Sequence, residues 1–207
     1  MKKAQLNFCK GLCLSLFLSV TSLQAIAQED AETAHIAVKN PADLSHQEAN
    51  KIYDSLKAVL DERYSISNMQ LISGYQNWKR YNSAPYLSAT HGQRFVNNYA
   101  NELGRDYGKL KNGQTYPPGT IFAKDTITVT SEGKTFPGAM FVMEKLEAGR
   151  NPKTADWRYV MVIPDGTVFG DTIGEEPELV DYCHTCHVGR ASRDYVFYVP
   201  KDYRLAQ

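Results

Sequence analysis

The segment Cys183-His184-Thr185-Cys186-His187 constrains this chain more than any other, because it concentrates two thiols and two imidazoles in five residues. What the thiols can do depends on where the protein resides. The N-terminus reads Met1-Lys2-Lys3 and, after Lys10, runs through Leu12, Leu14, Leu16, Phe17, Leu18 and Val20 without a charge until Glu29. A basic start, a short apolar run and the small residues Ala25 and Ala27 flanking Ile26 form the layout of a secretory signal peptide, so residues 1–27 are expected to be cleaved on export. The run is short for a bilayer-spanning helix, and no other stretch is apolar enough to cross, so no membrane association is expected after cleavage.

Cleavage would take Lys2, Lys3 and Lys10, lowering Lys plus Arg from 23 to 20 against 23 acidic residues, a formal charge of −3. A nucleic-acid partner would call for a basic excess or stripe, and neither is present. Residues 28–44 read as a polar leader, and 45–207 as one domain long enough for a proper core. Cys9 and Cys13 also leave, so the mature chain keeps only Cys183 and Cys186. Cys-Xaa-Xaa-Cys-His is the attachment signature of c-type haem: two thiols three positions apart add to the two vinyl groups of one porphyrin, and the adjoining His187 ligates its iron. A thioredoxin-like pair opens a helix early in a βαβ unit, whereas only twenty residues follow His187. A structural zinc site wants a second pair of ligands, and a disulfide would strain so short a loop and leave His187 unexplained.

The sixth iron position is approached by elimination. No methionine follows Met161, where small electron-transfer cytochromes c place their second ligand downstream of the motif. Met140, Met143, Met161, His35, His46 and His91 remain as upstream candidates, but strand methionines mostly fill cores, so an open distal site is the leading reading.

Helices are expected only in the N-terminal half. Ser45-His46-Gln47-Glu48 is a capping box, and Ala49, Ile52, Leu56, Val59 and Leu60 recur at helical spacing up to about Arg63. A second helix is expected after Ser88 or Thr90, with Phe95, Tyr99 and Leu103 on one face and a stop at Gly104. Beyond Pro117-Pro118-Gly119 the period becomes two. Thr120 to Val129 puts Ile121, Ala123, Ile127 and Val129 on one face, and Thr120, Phe122, Lys124, Thr126 and Thr128 on the other. Ala139 to Leu146 and Trp157 to Ile163 read as further strands, Pro164-Asp165-Gly166 as a turn into Val168-Phe169, and Tyr195 to Val199 as a closing strand. The pattern is α+β: a mainly antiparallel sheet with N-terminal helices on one side and the haem motif at the C-terminal end.

In order and spacing, Tyr75-Gln76-Asn77-Trp78, His91-Gly92-Gln93-Arg94-Phe95-Val96, Pro118-Gly119-Thr120-Ile121-Phe122-Ala123-Lys124-Asp125, Asp156-Trp157-Arg158-Tyr159 and Cys183 to His187 resemble the cytochrome P460 family, which includes the beta-type cytochromes c′. The resemblance spans most of residues 70–200. It implies a periplasmic, mainly antiparallel-sheet, usually dimeric cytochrome with one pentacoordinate haem acting on small nitrogen compounds. It further implies a redox partner such as a soluble cytochrome c. Enzymes of the family join a strand lysine to the porphyrin and oxidise hydroxylamine, consuming nitric oxide on the way; members without the link bind or scavenge nitric oxide.

Lys124 occupies the position that resembles the linking lysine. Periodicity alone would make it a solvated strand lysine, facing away from the most apolar set. Arg94 resembles a distal arginine able to donate hydrogen bonds to an iron-bound ligand; otherwise it is a helix-surface residue. His91, at the start of the same expected helix, is a proton shuttle or a capping residue. The catalytic members need a distal carboxylate, for which Asp125, Glu144, Glu178 and Asp181 are the candidates.

Overall fold

A computed structural model describes residues 37–205, so the expected signal peptide and residues 28–36 of the leader lie outside the described residues. The capping box forms: Ser45 Oγ accepts from Glu48 N at 3.3 Å, and Glu48 Oε2 accepts from Ser45 N at 2.9 Å. It opens helix α1, His46–Ser65, which buries Ala49, Tyr53, Leu60 and Tyr64 along one side.

The remaining order is carried by one antiparallel sheet of eight strands. They are β1 (Lys79–Arg80), β2 (Tyr86–Ser88), β3 (Arg94–Ala100), β4 (Ile121–Val129), β5 (Thr135–Pro137), β6 (Met140–Lys145), β7 (Trp157–Val162) and β8 (Val168–Asp171). The main path runs β1-β3-β4-β6-β7-β8, with β2 on β3 and β5 on β4. Mixed α+β architecture is therefore established, with α1 on one face. A short second helix, α2 (Asp181–His187), carries the cysteine motif on the other. Among the described residues no helix is long and apolar enough to cross a membrane.

Three of the sequence expectations are corrected. Helices are not confined to the N-terminal half, because α2 lies close to the C-terminal end. The second helix is instead strand β3, and all seven of its residues are buried. A strand covered on both faces loses the alternation of polar and apolar residues, and the fourfold spacing of Phe95, Tyr99 and Leu103 then mimics a helix. Residues 195–199 form no strand either. Tyr195 enters with φ 66°. The carbonyls that follow accept from side chains instead of a neighbouring strand: Phe197 O from Tyr107 Oη and Val199 O from Arg204.

The alternation expected for β4 holds, and it divides the molecule. Ala123, Ile127 and Val129 face α1 in a core with Tyr53, Leu60, Tyr64, Phe95 and Tyr99. Phe122 faces the opposite core, with Met143, Trp157, Tyr159 and Val196. Asp125 lies fully buried on the α1 side, where Tyr53 Oη and Tyr75 Oη donate to Oδ2 at 2.6 and 3.0 Å and Asn97 Nδ2 donates to Oδ1 at 3.1 Å.

Burial outweighs these three donors and raises the Asp125 carboxyl from 3.8 to about 6. The fold thus holds this proton more tightly than the unfolded chain does. The group's contribution is fully present below pH 3.8 and is lost as pH rises through about 6. In urea titrations, wild type should lose on the order of 2–3 kcal/mol relative to Asp125→Asn between pH 4 and 7. Parallel pH profiles for the two proteins would contradict this assignment.

Candidate haem site

Helix α2 places the motif by elementary geometry, since positions i, i+3 and i+4 share one side of a helix, so Cys183, Cys186 and His187 point the same way. The helix is drawn against the sheet by Val180, which is fully buried just before its first residue. Close approach there needs Gly170 on β8: a Cβ at that position would stand 2.7 Å from Glu176 O and 2.9 Å from Val180 Cγ1. Both cysteines are free thiols, Cys186 exposed and Cys183 half-buried.

His187 is 8% exposed, its ring lying 5.4 Å from Tyr159 and 5.3 Å from Phe197. Its Nδ1 is 2.6 Å from Tyr195 O. A carbonyl only accepts, so Nδ1 carries the proton and Nε2 is left with a free lone pair, the arrangement a metal-ligating histidine requires. Burial, and after it the charge of Lys124, holds the imidazole neutral, with its pKa lowered to about 4.

That carbonyl is delivered by a turn the sequence reading missed. Asp194 and Tyr195 both adopt left-handed backbone, with φ 50° and 66°. Asp194 is locked there by its side chain. Oδ1 accepts from Lys145 Nζ at 2.7 Å and Trp157 Nε1 at 3.2 Å, and Oδ2 accepts from Tyr116 N at 2.8 Å. The ammonium also lies 4.9 Å from the Trp157 ring and donates to Ala155 O at 3.1 Å. The signals available were weak: a lone aspartate seven residues past the motif, and a lysine ending a strand.

Cys183, Cys186 and His187 line one cavity of ≈ 290 Å³ whose other walls come from the sheet, the β2–β3 turn and the segment Phe197–Pro200. Lys124 lines it too, directly across the β4–β6 ladder from Phe141. It is half-buried, and no hydrogen-bond or ion-pair partner for its Nζ is found among the described residues. Burial lowers its ammonium pKa to about 8, so a minor neutral fraction, about a tenth, exists near neutrality. The surface-lysine reading is therefore replaced by a lysine facing the same space as Cys183, Cys186 and His187.

Other candidates separate clearly. Arg94 is 1% exposed at the start of β3 and is not a cavity-lining residue; its guanidinium approaches His91 O at 3.5 Å. His91 sits in the β2–β3 turn, not in a helix, and does line the cavity. Asp125 lies on the far face of the sheet, as the alternation from Lys124 demands. Glu144 is paired with Arg158 at 2.9 Å, and Glu178 and Asp181 are exposed. Among the described residues no carboxylate lines the cavity. Of the sixth-ligand candidates, Met140 and Met161 are fully buried in core, His46 stacks on Tyr203 at 4.3 Å, and His35 is outside the described residues; Met143 and His91 reach the cavity.

The residues fit a c-type haem on their own chemistry. Two unpaired thiols and a neutral imidazole with an open Nε2 converge on one largely aromatic cavity. The competing readings lose ground. A thioredoxin-like thiol would have a depressed pKa, whereas burial pushes Cys183 up to about 12. Among the described residues, no three His, Cys, Asp or Glu side chains are grouped to hold a metal ion, as a structural zinc would need.

Because the Lys145–Asp194 pair is 10% and 2% exposed at its two side chains, removing one partner leaves a buried charge. Asp194→Ala should lower stability by about 3–5 kcal/mol in urea unfolding. A loss under about 1 kcal/mol would show that the turn holds without it.

No curated protein matches the sequence. The family profile described as Cytochrome P460 matches residues 72–198, which takes in β1 to β8, Lys124 and the whole Cys183–His187 motif. This chain belongs to the cytochrome P460 family and is a haem protein of the P460 and cytochrome c′ kind.

Proposed function

We propose that the protein is exported to the periplasm, carries one haem joined to Cys183 and Cys186 with His187 as axial ligand, and oxidises hydroxylamine or nitric oxide at the open iron position. The observation that carries this reading is the place of Lys124, in the wall of the same cavity as the three attachment residues and without a protein partner for its ammonium among the described residues. When bound, the haem supplies the redox chemistry and accepts electrons from the substrate. The chain's own residues orient and exclude. His187 is held in one tautomer by Tyr195 O. Phe122, Phe141 and Met143 keep the cavity apolar and dry, which strengthens any polar contact made inside it. Lys124 would be the residue joined to the porphyrin, and its lowered amine pKa suits that role.

One observation favours a second reading. Oxidation of hydroxylamine releases protons, and no carboxylate among the described residues lines the cavity to take them. A protein that binds or scavenges nitric oxide, with Lys124 unlinked, has no such need. In either case a soluble electron-transfer protein is the expected redox partner, and a second copy of the chain the expected dimer mate.

The haem-loaded chain distinguishes these readings. A strongly red-shifted Soret band in the reduced protein, with residues 112–134 held to residues 159–190 through the haem after trypsin, supports the oxidase. In that case Lys124→Ala should restore an ordinary c-type spectrum and abolish hydroxylamine-dependent reduction of an electron acceptor. Activity retained in Lys124→Ala would sink the proposed role of the lysine, and an ordinary wild-type spectrum with nitric oxide binding would select the second reading.

A further inference from the structure

The polar atoms lining the cavity can be accounted for in turn. Tyr86 Oη donates to Asn98 Oδ1 at 2.9 Å, Tyr159 Oη meets His184 Nδ1 at 3.4 Å, Tyr182 Oη donates to Met161 Sδ at 3.5 Å, and Tyr198 Oη donates to Leu110 O at 3.5 Å. Lys124 is assigned to the porphyrin above. His91 remains. Its ring stands edge-on to Phe141 with centroids 4.8 Å apart, and its Nδ1 lies 2.8 Å from Ser88 Oγ and 3.3 Å from Thr90 Oγ1. Its Nε2 has no hydrogen-bond partner among the described residues, although the side chain lines the cavity.

Ser88 Oγ, the nearer hydroxyl, is placed to donate to the single lone pair of Nδ1, with Thr90 Oγ1 a longer neighbour; in that tautomer the proton of the neutral ring resides on Nε2. Burial favours the neutral ring, and so do the positive charges that face it, Lys124 from β4 and Arg94 from β3. The turn is built to hold this position, with Gly92 and Gln93 at φ 71° and 55° folding residues 89–93 back over the sheet edge.

We propose that His91, oriented by Ser88 and Thr90, donates a hydrogen bond from Nε2–H to the small molecule held at the open iron position. The inference rests on the haem reading above but not on whether Lys124 is linked. It gives the cavity a polar group that selects ligands able to accept a hydrogen bond, a positioning role that neither Arg94 nor any of the four candidate carboxylates fills from where it lies.

The test uses the full haem-loaded chain in the ferrous state with carbon monoxide as the probe. His91→Leu should move the C–O stretch to higher wavenumber, His91→Gln should keep it near wild type, and Ser88→Ala should fall between. Nitric oxide should leave the leucine variant about 2- to 10-fold faster, the worth of one hydrogen bond. An unchanged C–O stretch in His91→Leu overturns the role of His91 and leaves the haem reading standing. A six-coordinate low-spin ferrous spectrum that becomes five-coordinate in His91→Leu overturns it differently, by making His91 an iron ligand. A purified chain without covalent haem overturns both.

Discussion

The site depends on one hydrogen bond, from His187 Nδ1 to Tyr195 O at 2.6 Å. It decides which nitrogen of the imidazole is free, and it exists only because the chain turns back on itself through two consecutive left-handed residues. Left-handed backbone in an aspartate and a tyrosine has to be held by its surroundings. Asp194 supplies the hold by placing its carboxylate where Lys145, Trp157 and the Tyr116 amide all donate to it. The strands that end in Lys145 and begin at Trp157 thereby fix a loop that belongs to the haem-binding segment. Sheet and site are mechanically one object.

The sheet has a second role as a partition. Its alternation sends Lys124 to the cavity side and Asp125 to the helix side, so neighbours in sequence are separated by the thickness of the sheet. Behind it, Asp125 gathers Tyr53, Tyr75 and Asn97 into a buried polar network under α1; in front of it, the cavity wall is apolar apart from a few hydroxyls, Lys124 and His91. A mainly apolar front and a hydrogen-bonded back leave the Asp125 carboxyl on the side away from the cavity.

Much of this was legible in the residues. The capping box at Ser45 and Glu48 is local chemistry and forms as read. The alternation of β4 was legible because both its faces carry distinguishable residues, and the convergence of Cys183, Cys186 and His187 on one cavity because their spacing puts them on one side of a helix. Strand β3 was not, since a strand buried on both faces shows no alternation. Residues 195–199 look like a strand by composition, yet their carbonyls are claimed by distant side chains that no local pattern reveals. Asp194 was invisible for the same reason: its partners lie at positions 116, 145 and 157. Asp125 was misleading because adjacency to Lys124 in sequence suggests a shared site that strand geometry forbids.

The central claim is that Cys183, Cys186 and His187 hold a covalent haem in the cavity they line. Mass spectrometry of tryptic peptides from protein matured in an exporting host tests it most directly, because trypsin releases residues 159–190 as one piece containing all three. The account predicts that peptide heavier by one haem, with residues 112–134 attached as well where Lys124 is joined to the porphyrin. The same peptide recovered without haem, or with Cys183 and Cys186 joined as a disulfide, would contradict it.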